Sequence, residues 1–369
     1  MSGHLPEKYS SDLEFRKVQA RRWVIRRFIR NLTAWKPLEN PREGYTVVIG
    51  CNVPLARMLA CNLRFLARQD LRNLDKVLVV MDRPRDQIPE DIESLMRGKF
   101  PSLPLEFVYY NSRQRRACNL IAWAWVQCWV SWTLGIGAAR TKYVLLHDFD
   151  AMLVRPSIIE ERYQSIRERG HQYLGMCHYN GNGVVEADRL IGTFELMFDA
   201  EFIRNNFQAI DLFNHVTKFH GRRVDFDTFI YVQSQRGVGS TVVIREEDMV
   251  HPSQLISHFE DLRMGRHAVP PSNGLLLVPL FLYVGEEPEM LRELTVEMGR
   301  MHGRTVSFFG KRLDVAGLEP DLLKWLAKQA FRLDTASVGE VREEVRRYFR
   351  AADLFIAHAN GRTPVLEGS

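Results

Sequence analysis

The 369-residue sequence holds only five cysteines, Cys51, Cys61, Cys118, Cys128 and Cys177, and no C-x-x-C pair. An odd number at wide spacing excludes a disulfide framework or a cysteine zinc site and predicts free thiols in a reducing compartment. The opening residues, MSGHLPEKYSSDLEF, lack the apolar stretch of a signal peptide, so a cytoplasmic protein is expected. There is no internal repeat and no low-complexity block. Charge of one sign is scarce too: 50 Lys and Arg against 45 Asp and Glu leave a net +5. That favours anionic partners only mildly, and nucleic acid is not expected among them. With 46% hydrophobic residues the chain is not disordered and can bury the core of one large or two modest domains.

Long uncharged runs are few, and one stands out. Residues 117–139, ACNLIAWAWVQCWVSWTLGIGAA, carry no charge and are flanked by Arg115, Arg116 and Arg140. The length would suffice for a membrane span. However, Trp123, Trp125, Trp129 and Trp132 lie in its middle, whereas membrane tryptophans prefer the interfaces. A single buried core helix is the expectation, with membrane contact the alternative.

Residues 12–35 have helical periodicity. Phe15, Val18, Ile25, Phe28, Ile29 and Leu32 recur on it, and Arg16, Lys17, Arg21, Arg22, Arg26, Arg27 and Arg30 crowd the rest. Two readings stay open: a helix laid across the core, or one that docks on an anionic membrane or a partner. After NPREG, apolar strands YTVVIG, DKVLVVMD, LEFVYY and KYVLLHD alternate with helices at 54–69 and 90–98 and with the long apolar run. Continuous apolar strands alternating with helices predict a mostly parallel sheet covered on both faces. Ligands bind such sheets beyond the carboxyl ends of the strands. Further on, QYLGMCHY and GTFELMF read as strands, and Phe202–Phe219, Asp227–Arg236, 287–302, 319–331 and 338–355 as helices. The organisation expected is a basic amphipathic helix at 1–40, a catalytic domain at 41–285 with halves 45–156 and 157–285, and a helical extension at 286–369.

The segment YVLLHDFDAMLVRP, residues 143–156, concentrates the chemistry. Residues two apart in an extended segment face the same way, so Asp148 and Asp150 converge past the end of a buried strand. Two close carboxylates repel unless a cation sits between them. Mg²⁺ or Mn²⁺ fits, because such ions take carboxylate oxygens and complete their shells with phosphates and water.

This order of elements, ending in an apolar strand and D-x-D, resembles the GT-A type of glycosyltransferase over roughly residues 45–260. The resemblance implies a Rossmann-related α/β fold, mostly parallel and flanked by helices. It implies a Mn²⁺- or Mg²⁺-dependent hexosyl transfer from a UDP- or GDP-linked sugar to a glycan, lipid or protein acceptor, in carbohydrate biosynthesis. It places Asp148 and Asp150 on the metal and Asp148 beside the diphosphate. Gly50 and Asn52, in IGCNVP, fall where the family wraps the nucleoside, and Asp82 where it often sets an acid on base or ribose. Arg115, Arg116 and Asn119 fall beside the donor. Glu195 is a candidate on the acceptor side. Asp225 and Asp227 open the segment in which inverting members keep a general base, with Asp225-Phe226-Asp227 replacing the usual adjacent pair; Asp227 could equally cap a helix. His251 or His258 would supply a further metal ligand, His258 being preferred. Peripheral membrane contact through residues 12–35 stays open.

Other classes fit less well. DFDAML superficially resembles the nucleophile loop of haloacid-dehalogenase-like phosphatases, but Ala151 and Met152 replace the residues expected there. A GT-A-like binding protein without activity is a second alternative. A nucleotidyltransferase would need a glycine-rich arginine loop near the first strand, and IGCNVPLAR has one glycine.

Overall fold

The computed structural model describes residues 7–89, 91–265 and 274–366; the extreme ends of the chain lie outside the described residues. The chain divides into two compact units. The first comprises Met1–Pro54, Gln69–Phe149 and Ser157–Ile244; the second comprises Leu55–Arg68, Asp150–Pro156 and Arg245–Ser369.

The first unit is built on a seven-stranded, mostly parallel sheet flanked by helices, the α/β class expected. Its strands are β1 (Arg42–Cys51), β2 (Leu74–Met81), β3 (Leu105–Tyr109) and β4 (Thr141–His147), then, beyond a short β5 (Met152–Leu153) of the second unit, β6 (Tyr173–Gly175) and β7 (Leu196–Asp199). A hairpin of β8 (His215–Phe219) and β9 (Arg222–Phe226) stands outside the sheet, and β10 (Gly239–Thr241) completes it. The order is β10-β6-β7-β4-β1-β2-β3, with β7 antiparallel to both neighbours. The apolar runs of β1, β2 and β4 are buried because neighbours hydrogen-bond on both edges and helices cover the faces. Ile49 pairs with His147 and Cys51 with Met81, so β1, β2 and β4 end close together. Residues just past those ends, Asn52, Asp82 and Asp148, are therefore gathered at one edge of the sheet.

Helices α1 (Asp12–Ile29), α2 (Leu59–Leu66) and α3 (Asp91–Lys99) precede the tryptophan-rich run. That run forms two helices rather than one: α4 (Ser112–Ile121) and α5 (Ala124–Ala138). Ala122 takes a left-handed conformation, φ 49°, that ends α4, and Trp123 starts α5 in extended backbone. Among the described residues no helix is long and apolar enough to cross a membrane. Trp129 is fully buried in the core formed with Val48, Val144, Phe198 and Phe213, and its indole N–H donates to the Ala209 carbonyl at 2.8 Å. α5 packs so closely on β1 that a Cβ on Gly135 would lie 2.3 Å from Val48 Cγ1. Gly135→Ala should cost about 1–3 kcal/mol by overpacking, read as a lower midpoint in urea unfolding with an unchanged slope; an unchanged midpoint would show that the helix can slide.

Next come α6 (Ile158–Arg169), α7 (Ala200–Asn206) and α8 (Ile230–Gln235). Two expectations fail here. The helix read at Phe202–Phe219 stops at Asn206, and its last five residues are strand β8. Asp227 does not cap α8, whose N-cap is Phe229; Asp225 lies in strand β9 and Asp227 just beyond it. The Val216, Val224 and Phe226 side chains alternate with more exposed residues, the period of a strand with one buried face.

The second unit contains α2, β5, β11 (Met249–Val250), α9 (Leu255–Met264), α10 (Val278–Val284), α11 (Glu289–Gly299), the hairpin β12 (Thr305–Phe308) and β13 (Lys311–Asp314), α12 (Pro320–Val338) and α13 (Glu343–Asn360). The hairpin was not legible beforehand, whereas the last three helices were. Asp334 on α12 is buried and receives the Arg342 guanidinium at 2.5 Å, and Arg342 lies over the Tyr283 ring at 3.9 Å.

Candidate active site

Asp148, Phe149 and Asp150 follow β4 in a turn, not in extended backbone. The turn, rather than the pleat of a strand, brings the carboxylates together, while Phe149 goes into the core. In the second unit, β5 pairs antiparallel with β11, Met152 opposite Val250. That register brings His251, one step past Val250, back to Asp150, and His251 Nε2 lies 3.4 Å from Asp150 Oδ1. One ligand atom each from Asp148, Asp150 and His251 fall within 4.8 Å of one another. Further bonds hold this segment. The buried Asn62 side chain on α2 donates to the Ala151 carbonyl at 2.9 Å. The amides of Val154 and Arg155 donate to the Asp248 carbonyl at 2.8 and 3.2 Å, and Arg155 pairs with the Asp248 carboxylate. The preference for His258 is corrected: it sits half-buried on α9, outside the group, and burial lowers its pKa.

Two carboxylates and an imidazole make a hard oxygen and nitrogen set. It suits Mn²⁺ better than Mg²⁺, which favours oxygen alone. The like charges of Asp148 and Asp150 give such an ion a reason to bind.

At the same sheet edge, Asp82 is buried. Its Oδ1 accepts from the Val53 amide at 3.0 Å, and the buried Arg115 guanidinium approaches its Oδ2 at 3.4 Å. Asp82 and Arg115 thus neutralise each other and brace the loop after β1. Asn52 is buried in that loop. Gly50 lies on β1 where a Cβ would come 3.1 Å from Ser131 Cβ, so packing of α5 accounts for its small size. Arg116 and Asn119 are exposed on α4.

Glu195 is placed differently from the acceptor-side role read from the sequence. It is fully buried, with φ 53°, and cannot meet an acceptor from that position. His147 Nδ1 lies 2.6 Å from Oε1, the Asp148 amide donates to the same oxygen at 3.1 Å, and Arg162 Nη1 donates to Oε2 at 3.2 Å. Burial alone would raise the Glu195 pKa, but His147, Arg162 and the amide more than offset it and hold the group below its ordinary value. A charged network therefore sits directly behind Asp148.

Asp225 and Asp227 lie together near α1. Asp225 Oδ2 accepts from the buried Arg22 guanidinium at 3.0 Å and from the Tyr9 hydroxyl at 2.9 Å. Arg22 also lies over the Trp123 ring, 4.3 Å from its centre. Asp227 Oδ1 accepts from Asn214 Nδ2 at 3.0 Å and from the Thr228 amide at 2.7 Å. Burial raises the Asp227 pKa, and the Asp225 charge adds to the rise. The Cys128 thiol is pushed well up by burial, with the Asp148 and Asp227 carboxylates adding, so it lies within electrostatic reach of both. Tyr9, Arg22, Asn214, His147 and Arg162 were not singled out as site residues in the sequence. Only His147, directly before the two aspartates, carried a local signal.

No protein-family model matches the sequence, and no curated protein sequence matches it. Solved structures do. A fragment of S. aureus TarS, residues 1–349, is 12% identical with a TM-score of 0.37, over 86% of this chain and 92% of that one. The galactosyltransferase LgtC, in complex with donor and acceptor sugar analogues, is 14% identical with a TM-score of 0.34, over 44% of this chain and 60% of that one. Core-mannan synthase A from Aspergillus fumigatus, in a Mn/GDP form, is 8% identical with a TM-score of 0.28, over 39% and 47%.

Proposed function

We propose that the chain is a metal-dependent glycosyltransferase that moves a sugar from a nucleoside-diphosphate sugar to an acceptor hydroxyl. The observation that carries this reading is the Asp148, Asp150 and His251 group, at the carboxyl end of a central parallel strand. Asp148, Asp150 and His251 would hold the divalent ion, which supplies Lewis-acid neutralisation of the leaving diphosphate when bound. Asn52, Arg116 and Asn119 would line the donor, with the Asp82–Arg115 pair bracing the nucleoside loop. Of the three carboxylates considered for the acceptor, Asp227 fits the base best. Both its hydrogen bonds end on Oδ1, so Oδ2 is the atom to take the proton, and a raised pKa makes it the stronger base. Asp225 Oδ2 is already occupied by Arg22 and Tyr9.

The test is release of nucleoside diphosphate from UDP-, GDP-, CMP- and dTDP-sugars with and without Mn²⁺. Metal-dependent turnover of one donor is expected, falling about 10²–10⁴-fold in Asp227→Asn; no turnover of any donor with any simple acceptor, and no metal-dependent nucleotide binding, would overturn the reading. The same variant carries a signed expectation for stability. A folded-state pKa above the unfolded one means that the native state holds this proton more tightly, so a charged, buried Asp227 weakens the fold as pH rises past the ordinary carboxylate range. Asparagine can keep the two Oδ1 bonds without the charge. Its melting temperature should exceed wild type at pH 7, and the gain should vanish in acid; a lower melting temperature at pH 7 would count against a strained carboxylate.

A further inference from the structure

Helix α1 has two apolar stripes, and only one is used by the fold. The inner stripe is fixed: Phe15 packs with Tyr9 and Val216, Ile29 enters the main core, and Arg22 pairs with Asp225. Gln19 donates to the Val216 carbonyl and Arg26 to the Phe213 carbonyl. Leu13, Ala20, Val24 and Phe28 lie at intervals of seven, four and four residues, on the side opposite Phe15, Arg22 and Ile29. They are exposed, Leu13 at 65%, Val24 at 58% and Phe28 at 54%, and Trp23 at the stripe's edge is 64% exposed. Four exposed cations, Arg16, Arg21, Arg27 and Arg30, flank the stripe and a fifth, Lys17, lies within it between Leu13 and Val24, while the acids Asp12 and Glu14 are confined to the first turn. A helix serving only to cover a core would present a polar outer face.

We propose that the outer face of α1 docks on an anionic lipid surface, lying in the plane of the interface. A short apolar stripe between basic flanks, interrupted once by Lys17 whose long stem can carry its charge up to the headgroups, matches the boundary between acyl chains and headgroups. The charge pattern selects this occupant over a second copy of the chain, because two such faces would oppose cation to cation. The inner-face contacts hold α1 as a formed helix, so binding has no folding cost to meet. The inference does not depend on the catalytic reading.

The test is co-sedimentation of the full chain with vesicles of phosphatidylcholine alone or mixed with phosphatidylglycerol. Binding is expected to the mixed vesicles, to fall as salt rises, and to weaken about fivefold for each of Arg21→Gln and Arg27→Gln. Val24→Asp with Phe28→Ser should abolish it with melting temperature unchanged, since both side chains are exposed. Brominated lipid should quench wild-type fluorescence more than that of Trp23→Phe. No binding to phosphatidylglycerol vesicles, or binding untouched by the Val24 and Phe28 changes, would overturn the proposal. So would self-association, or binding to an acidic protein, that needs this stripe while vesicles do not bind.

Discussion

Asp150→Asn is expected to remove the response of the protein to Mn²⁺ altogether. Wild type, titrated with the metal alone, should melt at rising temperature, since a ligand that binds only the folded state stabilises by about 2.7 kcal/mol at a hundred times its dissociation constant. Asp148→Asn should behave the same way, because each variant removes one of three ligand atoms that fall within 4.8 Å of one another. His251→Ala should weaken the response less, since the imidazole is the neutral member of the set. Without metal the order reverses. Neutralising one of two close carboxylates relieves repulsion, so Asp150→Asn should melt at or above the wild-type temperature. Turnover should fall about 10²–10³-fold, the usual cost of losing one fixed electrostatic contact in a transition state. Equal Mn²⁺ shifts in wild type and both aspartate variants would place the metal elsewhere and remove the basis of the proposed function.

The legibility of that group in the sequence has a physical limit. Asp148 and Asp150 were readable because a buried apolar strand runs directly into them, and β1, β2 and β4 were readable because central parallel strands are apolar throughout. His251 was one of two candidates, and the choice turned on the two-residue pairing of β5 with β11, too short to leave a periodic signal. The break between α4 and α5 was hidden because Ala122, which takes the left-handed conformation, is an ordinary helix former by composition. The β8–β9 hairpin was lost to a helical reading of Phe202–Phe219, although HVTKFHGRRVDF has a glycine turn and alternating Val and Phe. Arg22 with Asp225, 203 residues apart, leaves no local trace at all. What the sequence could state was therefore confined to chemistry within one element and its flanks.

Glu195→Ala should cost about 3–5 kcal/mol of stability, the price of leaving a buried charge without its partner. Arg162 and His147 are each about 1% exposed, so neither can turn to water when the carboxylate goes. The backbone at Glu195 is left-handed, a strained choice for a residue with a side chain, and His147, the Asp148 amide and Arg162 all meet its carboxylate. Glu195→Gln separates the charge from the shape. It can still accept from the Asp148 amide, so the turn should persist, but the Arg162 charge loses its counter-ion and stability should fall by less than in alanine. The two variants differ in a second readout. If Glu195 only fills the core, Mn²⁺ affinity should follow stability and recover in whichever variant is folded. If it positions Asp148 through the amide hydrogen bond, glutamine should retain Mn²⁺ affinity and folded alanine protein, at low temperature, should lose about 10–100-fold, the usual cost of removing a group that orients a ligand. Equal affinity in folded Glu195→Ala and wild type would confine the network to stability. His147, immediately before the two aspartates, then acquires a purpose: it fastens the end of β4 to the carboxylate that holds the amide of Asp148.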